Sequence, residues 1–290
     1  MCLIAWRWSP HAATPLLWAA NRDEFAHRPS AAQQLWREGE VTVLSGLDLA
    51  VSANEGAGET LRSTWAGVNN QGKFAWLTNI RSPNDKNPTA PSRGLLVAEY
   101  LANDTSADDT LARIRPKAAR YNGFNLVLGH IHADPAQSEC WHYNSRNDRA
   151  QRLDTGVYGV SNADLDTPWP KTLALVHAVN MAGAGLAPAL APSPALSDRL
   201  FAALADRAVY PAAQLPATGL SVEREQQLSA AFIATQFQSP ADPNPEHAMA
   251  YGTRASAVAW YHGGAFHSAQ RSFDSRGDES GRVWHTLGCA

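Results

Sequence analysis

Met1-Cys2-Leu3-Ile4-Ala5-Trp6-Arg7-Trp8 is a short apolar run that begins on a cysteine, and Leu16-Leu17-Trp18-Ala19-Ala20 repeats the pattern after Ser9-Pro10-His11 and Pro15. Two apolar runs of this length, separated by turn residues, read as paired strands. The second run leads directly into Asn21-Arg22-Asp23-Glu24, so an ionisable stretch stands at the end of an otherwise apolar pair. Further along, residues 41–49 read as a strand, and Thr64-Trp65-Ala66-Gly67-Val68, the turn Asn69-Asn70-Gln71-Gly72 and residues 73–78 read as a hairpin ending on Asn79. Residues 50–63, rich in Ser, Asn, Gly and Glu, read as an exposed loop.

Helices are expected at 94–101, behind Ser92, and at 108–114, where acidic residues face the helix dipole favourably. Strands return at 124–131, 139–143 and 157–161. Pro168 and Pro170 suit the first turn of a helix running through Asn180, and 196–208 and 222–232 are amphipathic. Residues 251–260 and 265–273 close the chain as strands joined by His262-Gly263-Gly264. Residues 172–197 carry no charge but are broken by Asn180, Gly183, Gly185 and three prolines, which reads as a buried helix and a loop instead of a membrane span. With no fixed-period repeat and no evident linker, the expectation is a single domain over 1–290, α+β, with layered sheets and helices outside.

Composition narrows the function. At 44% hydrophobic and 18% charged, with 10 Trp, 7 Tyr and 8 Phe in 290 residues, the chain has what it needs to bury a core, and disorder is excluded as the default. Lys plus Arg number 24 against 27 Asp plus Glu, without a basic block, so no nucleic-acid partner is expected. Three cysteines with no C-x-x-C spacing give neither a disulfide framework nor a metal site; with no signal-peptide pattern, the expected location is cytoplasmic. Cys140 lies in an expected strand and reads as core, and Cys289 as an exposed thiol.

Cys2 carries the chemistry. Removal of Met1 would leave one residue with a thiol and a free α-amine, whose ordinary pKa values of about 8.5 and about 7.7–8.0 lie close together. Nucleophile and general base would then share one residue. Polar residues at strand ends supply the remaining parts: a carboxylate at Asp23 to hold the amine, amides at Asn21, Asn79 and Asn162 to donate to an oxyanion, and Arg254 late in the chain. Taken singly, each of these also reads as a turn residue or an ordinary ion-pair partner.

Met1-Cys2-Leu3-Ile4, Ala19-Ala20-Asn21-Arg22-Asp23-Glu24-Phe25 with Arg28-Pro29, Ser45-Gly46-Leu47-Asp48-Leu49, Thr64-Trp65-Ala66-Gly67-Val68, Leu77-Thr78-Asn79-Ile80-Arg81, Ser92-Arg93-Gly94, Tyr158-Gly159-Val160-Ser161-Asn162-Ala163 with Trp169-Pro170-Lys171, and Tyr251-Gly252-Thr253-Arg254 together resemble the NRDE family, also called the transport and Golgi organisation protein 2 family. That family is similar to amino-terminal nucleophile (Ntn) hydrolases of the bile salt hydrolase and penicillin V acylase type. The resemblance implies a four-layer αββα sandwich with Cys2 as nucleophile, Asn21 and Asp23 in the family's Arg-Asn-x-Asp stretch, Asn79 and Asn162 on the oxyanion side and Arg254 as a late arginine. Where that stretch has its first arginine, Ala20 stands; Arg22 would share its face but lie about 7 Å along the strand, so the fixed cation beside the thiol is expected to be lost.

The resemblance implies two functions. One is hydrolysis of a C–N amide bond in an apolar acyl substrate by an amino-terminal-cysteine amidohydrolase that requires no cofactor, the many aromatic residues lining its pocket. The other is binding and trafficking of haem, acyl-coenzyme A or another lipid-like ligand without turnover. In that case Arg22, Arg28, Arg81 and Arg254 would hold propionates or phosphates, and the sequence selects no axial ligand among its ten histidines.

Overall fold

The computed structural model describes residues 2–50, 62–83, 86–186, 194–237 and 248–289. The apolar runs at the start of the chain form β1 (Cys2–Trp8) and β2 (Leu16–Phe25), antiparallel with Ile4 opposite Ala20 and Cys2 opposite Arg22. β2 continues through Asn21-Arg22-Asp23-Glu24, so these residues extend the strand instead of following it.

The next strands are β3 (Ser30–Glu38), β4 (Val41–Asp48), β5 (Ala66–Asn69) and β6 (Lys73–Asn79). After α1 (Gly94–Ala102) and α2 (Ala107–Ile114) come β7 (Phe124–His130), β8 (Glu139–Asn144), β9 (Arg149–Arg152) and β10 (Gly156–Val160). α3 (Pro170–Ala184), α4 (Pro194–Leu204) and α5 (Val222–Gln227) precede β11 (Ala234–Phe237), β12 (Met249–His262), β13 (Ala265–Phe273) and β14 (Glu279–Gly288). The helix expected over 222–232 is therefore a short one ending at Gln227. Most of the loop expected at 50–63, and most of the segment following α3, lie outside the described residues.

Two seven-stranded antiparallel sheets result. The first runs β10-β1-β2-β12-β13-β14, with β11 on β12; the second runs β3-β4-β5-β6-β7-β8-β9. Side chains alternate along each strand, and the two faces of each sheet pack separately. Ile4, Trp6, Trp18 and Phe266 of the first sheet meet Leu44, Phe74, Trp76 and Val127 of the second in one core between the sheets. The outer face of the first sheet, with Leu3, Ala5, Leu17 and Val258, packs on α3 and α4 through Leu175, Val179 and Leu200. The outer face of the second packs on α1 and α2 through Val97, Tyr100 and Leu111. Helix, sheet, sheet, helix is the four-layer αββα order, in an α+β fold.

Many of the aromatic residues fill this interior. Trp76 has the rings of Trp6, Trp18 and Phe74 centred 5.4, 5.7 and 5.2 Å from its own, and all are buried. Aromatic pairs at this spacing add to the large apolar area each ring removes from water. Trp76→Ala is expected to lower unfolding free energy by about 3–5 kcal/mol in urea denaturation, the usual cost of emptying a buried tryptophan site; a loss of under about 1 kcal/mol would show that the inter-sheet core tolerates the void.

Candidate functional site

Strand register decides what surrounds Cys2. Because Cys2 pairs with Arg22, both side chains point to the face that carries Ile4 and Ala20, toward the inter-sheet side. Asn21 and Asp23 alternate to the face that carries α3 and α4. β12 lies on the other side of β2, with Thr253 opposite Asp23 and Ala255 opposite Arg22; Arg254 is the extra residue of a bulge between them.

The fixed cation expected to be lost is present. Arg22, not the residue at position 20, is the cross-strand neighbour of Cys2. Its guanidinium lies 4.2 Å from the ring centre of Trp65 and 4.0 Å from Asp48. Gly46 makes room for that ring: a Cβ there would come within 2.5 Å of two Trp65 atoms. The Ser45-Gly46-Leu47 stretch thus supports the site through packing, without touching it.

Cys2 is 7% exposed, and its carbonyl accepts from Ser161 Oγ at 3.0 Å. Burial pushes the thiol pKa up and the charge of Asp23 adds to this, while the Arg22 guanidinium and the Asp23 backbone N–H act the other way. Asp23 is itself buried; its Oδ1 accepts from Thr253 Oγ1 at 2.8 Å and its carbonyl from Tyr251 Oη at 3.2 Å. Burial raises the Asp23 pKa, against the opposing charge of Lys171 and the Thr253 hydroxyl.

The asparagines divide. Asn21 donates to the carbonyls of Leu204 and Ala231, both at 2.8 Å, and accepts from Ser256 at 2.5 Å, so its amide ties the sheet to the helical layer on the face away from Cys2. Asn162 is buried next to Ser161 and donates through Nδ2 to the Asn79 carbonyl at 2.8 Å, which brings the two oxyanion candidates together from β6 and from the end of β10. An amide nitrogen carries two N–H groups, and this bond uses one of them.

The arginines divide as well. Arg28 is clasped by Asp48 through Nε and Nη2, the latter at 2.8 Å. Arg81 pairs with Glu225, lies 4.9 Å from the Trp169 ring centre and donates its backbone N–H to the Asn162 carbonyl at 2.8 Å. Arg22 Nη1 and Arg254 Nε and Nη1, by contrast, are buried without a hydrogen-bond partner.

Sequence reasoning assigned no role to Lys171, which the structure buries at 2% exposure with Nζ donating to the Leu228 carbonyl at 2.8 Å. Its pKa is lowered by burial to about 8, with the charges of Asp23 and Cys2 opposing that fall. The available signal was Trp169-Pro170-Lys171: proline at the first position of α3 fixes where the helix begins, and hence where the next side chain lies. Arg93 was also passed over. It donates to the Gly123 carbonyl at 3.0 Å, and burial lowers its pKa, with the charges of Cys2 and Glu24 opposing. Arg81, Trp169, Lys171, Leu215 and Glu225 line a small opening on this side of the cluster.

Among the described residues, no group of three or more His, Cys, Asp or Glu is placed to hold a metal ion, and no helix is long and apolar enough to cross a membrane. His142, fully buried, is hydrogen-bonded to Asn125 at 3.2 Å, and Asn125 in turn donates to the Ala163 carbonyl at 2.6 Å, next to Asn162. His130 and His132 contact each other edge to face, and His130 meets the Gln71 carbonyl at 2.9 Å.

The chain belongs to the Transport and Golgi organisation 2 family, whose profile matches residues 1–272. It is 37% identical to the Transport and Golgi organization protein 2 homolog of Bos taurus over 175 residues, which are 59% of this chain and 60% of that protein. It is 34% identical to the Mus musculus homolog over the same shares. The match thus spans about 60% of the length of these curated relatives. Among solved structures, the chain is similar to a cysteine-to-alanine mutant of conjugated bile acid hydrolase from Clostridium perfringens, with a TM-score of 0.39 and 9% identity, covering 99% of this chain and 92% of that one. At that score the layer order rests on the strand pairing of the chain itself.

The buried lysine gives a pH-dependent test. Between about 8 and its ordinary 10.5 the unfolded chain binds more protons at Lys171 than the folded chain does, so this residue makes stability rise with pH across that window. The difference in urea midpoint between wild type and Lys171→Met is expected to shift in favour of wild type from pH 7.5 to about 10. Parallel midpoints across that range would show that Lys171 titrates as a solvated lysine.

Proposed function

We propose that this member of the Transport and Golgi organisation 2 family is an amidohydrolase that cleaves a C–N amide bond of an apolar acyl substrate, with Cys2 as amino-terminal nucleophile. One observation carries the reading: β1, β2, β12 and the strand ends at Asn79 and Asn162 bring Cys2, Arg22, Asp23, Thr253 and the Asn79–Asn162 pair to one end of the central strands.

Once Met1 is removed, the α-amine of Cys2 takes the thiol proton and the sulphur attacks the amide carbonyl, forming a C–S bond and an oxyanion. Asn162, locked to the Asn79 carbonyl through one N–H, offers its other to that oxygen. The C–N bond breaks as the leaving amine takes the proton from the α-ammonium. Water, losing a proton to the α-amine, then attacks the thioester, releasing the acid and the thiol. Asp23, held by Thr253, is the carboxylate that fixes the α-ammonium, and Arg22 favours the thiolate. Asn21 holds the helical layer against the sheet, a positioning part remote from the reacting atoms.

The test uses purified protein, its intact mass and peptide mass spectrometry after brief treatment with iodoacetamide. Met1 is expected to be absent, with Cys2 labelled ahead of Cys140, buried in the core, and Cys289, whose thiol burial pushes up to about 11. Retention of Met1, or labelling confined to the other two cysteines, would contradict the reading. A haem or acyl-coenzyme A carrier without turnover would keep its cargo affinity in Cys2→Ala, whereas the hydrolase loses all turnover in that variant.

A further inference from the structure

Arg22, the cross-strand neighbour of Cys2, and Arg254, in the β12 bulge beside Arg22, are in an unusual state. Arg22 is 5% exposed, with Trp65 under its guanidinium and Asp48 at 4.0 Å, yet Nη1 is buried with no hydrogen-bond partner. Arg254, the bulge residue flanked by the partners of Asp23 and Arg22, has buried Nε and Nη1 in the same condition. The nearby carboxylates are engaged elsewhere. Asp48 takes three hydrogen bonds from Arg28, and Asp274 accepts the backbone N–H groups of Arg276 and Asp278 and pairs with the Arg276 guanidinium at 3.4 Å.

A buried guanidinium that leaves N–H groups unmet is costly, and a second like charge beside it adds to the cost. Burial accordingly holds the Arg254 pKa down, the Arg22 charge pushes the same way, and Asp274 only opposes them. Planar N–H forks on two adjacent arginines fit an oxyanion group, which satisfies both donors and relieves the repulsion at once. Arg254 lines a small opening to solvent with Thr253, Asp274 and Gly277.

We infer that Arg22 and Arg254 form an anion-recognition site beside Cys2, which takes a carboxylate or phosphate group carried by the substrate. This deepens the hydrolase reading and rests on it for the word substrate: the amide cleaved bears a negative charge close to its scissile bond. Arg28 and Arg81 do not share the task, each being committed to its own carboxylate.

Two measurements test it. The first compares rates of Cys2 alkylation by iodoacetate, which carries a carboxylate, and by iodoacetamide, its neutral counterpart; the ratio removes any general change in thiol reactivity. The iodoacetate-to-iodoacetamide ratio at Cys2 is expected to exceed that at Cys289 by about tenfold or more, to fall to the Cys289 value in Arg254→Gln and to recover in part in Arg254→Lys, which restores the charge without the fork. The second uses Cys2→Ala, which has no nucleophile: inorganic phosphate is expected to raise its thermal midpoint relative to chloride at equal ionic strength, an effect lost when Arg254→Gln is added. An unchanged ratio in Arg254→Gln, together with no phosphate stabilisation, overturns the anion site. If neither reagent labels Cys2 but phosphate stabilisation depends on Arg254, the anion site stands and the nucleophile reading fails.

Discussion

The pairing of Cys2 with Arg22 is the constraint on which the rest of the site depends. Side chains alternate along a strand with a period of two, so a slip of one residue between β1 and β2 would turn Arg22 toward the helices and Asn21 into the inter-sheet core. The apolar run prevents this. Trp6 and Trp8 of β1, with Leu16 and Trp18 of β2, must face the second sheet together, and Leu3, Ala5, Leu17 and Ala19 must face α3 and α4. The same tryptophans that fill the core thereby fix which polar residues stand at the end of the strands.

That end carries an unusual density of buried charge. The side chains of Arg22, Asp23, Arg81, Lys171 and Glu225 are all less than a tenth exposed, each within reach of an opposite charge or a carbonyl. Such groups stabilise a fold poorly, because desolvation takes back most of what Coulombic attraction supplies. Their arrangement makes sense instead as a preset electrostatic environment, in which the Arg22 guanidinium shares the face of the sulphur and a carboxylate held by Thr253 occupies the other. The bulge at Arg254 serves the same end. By inserting a residue where β12 meets Arg22 and Asp23, it brings a second guanidinium to the mouth without displacing the first.

Much of the fold was legible because its central strands are apolar and its helices have recognisable starts, an acidic first turn in α2 and Pro170 at the head of α3. The strands that sequence reasoning missed, β3, β9, β11 and β14, are edge or short strands. Glu279–Gly288 exposes most of its residues, and an edge protects itself with polar side chains that erase the alternation by which strands are read. At the site, the cysteine, the aspartate and the terminal asparagines were visible as residue types. The cation was not, because position 20 was compared along the strand whereas the relevant neighbour lies across it, a matter of register. Lys171 was hidden for a related reason: its burial comes from the Leu228 segment folding over the start of α3, a contact more than fifty residues away that no local pattern encodes.

The most direct test of this account is an experimental structure of the chain after loss of Met1, read at the first residue. The Cys2 sulphur is expected within about 5 Å of the Arg22 guanidinium, close enough for the charge to favour thiolate, with the new α-amine hydrogen-bonded to the Asp23 carboxylate. An amine directed to solvent, or Arg22 turned into the helical layer with Asn21 beside the sulphur, would contradict it.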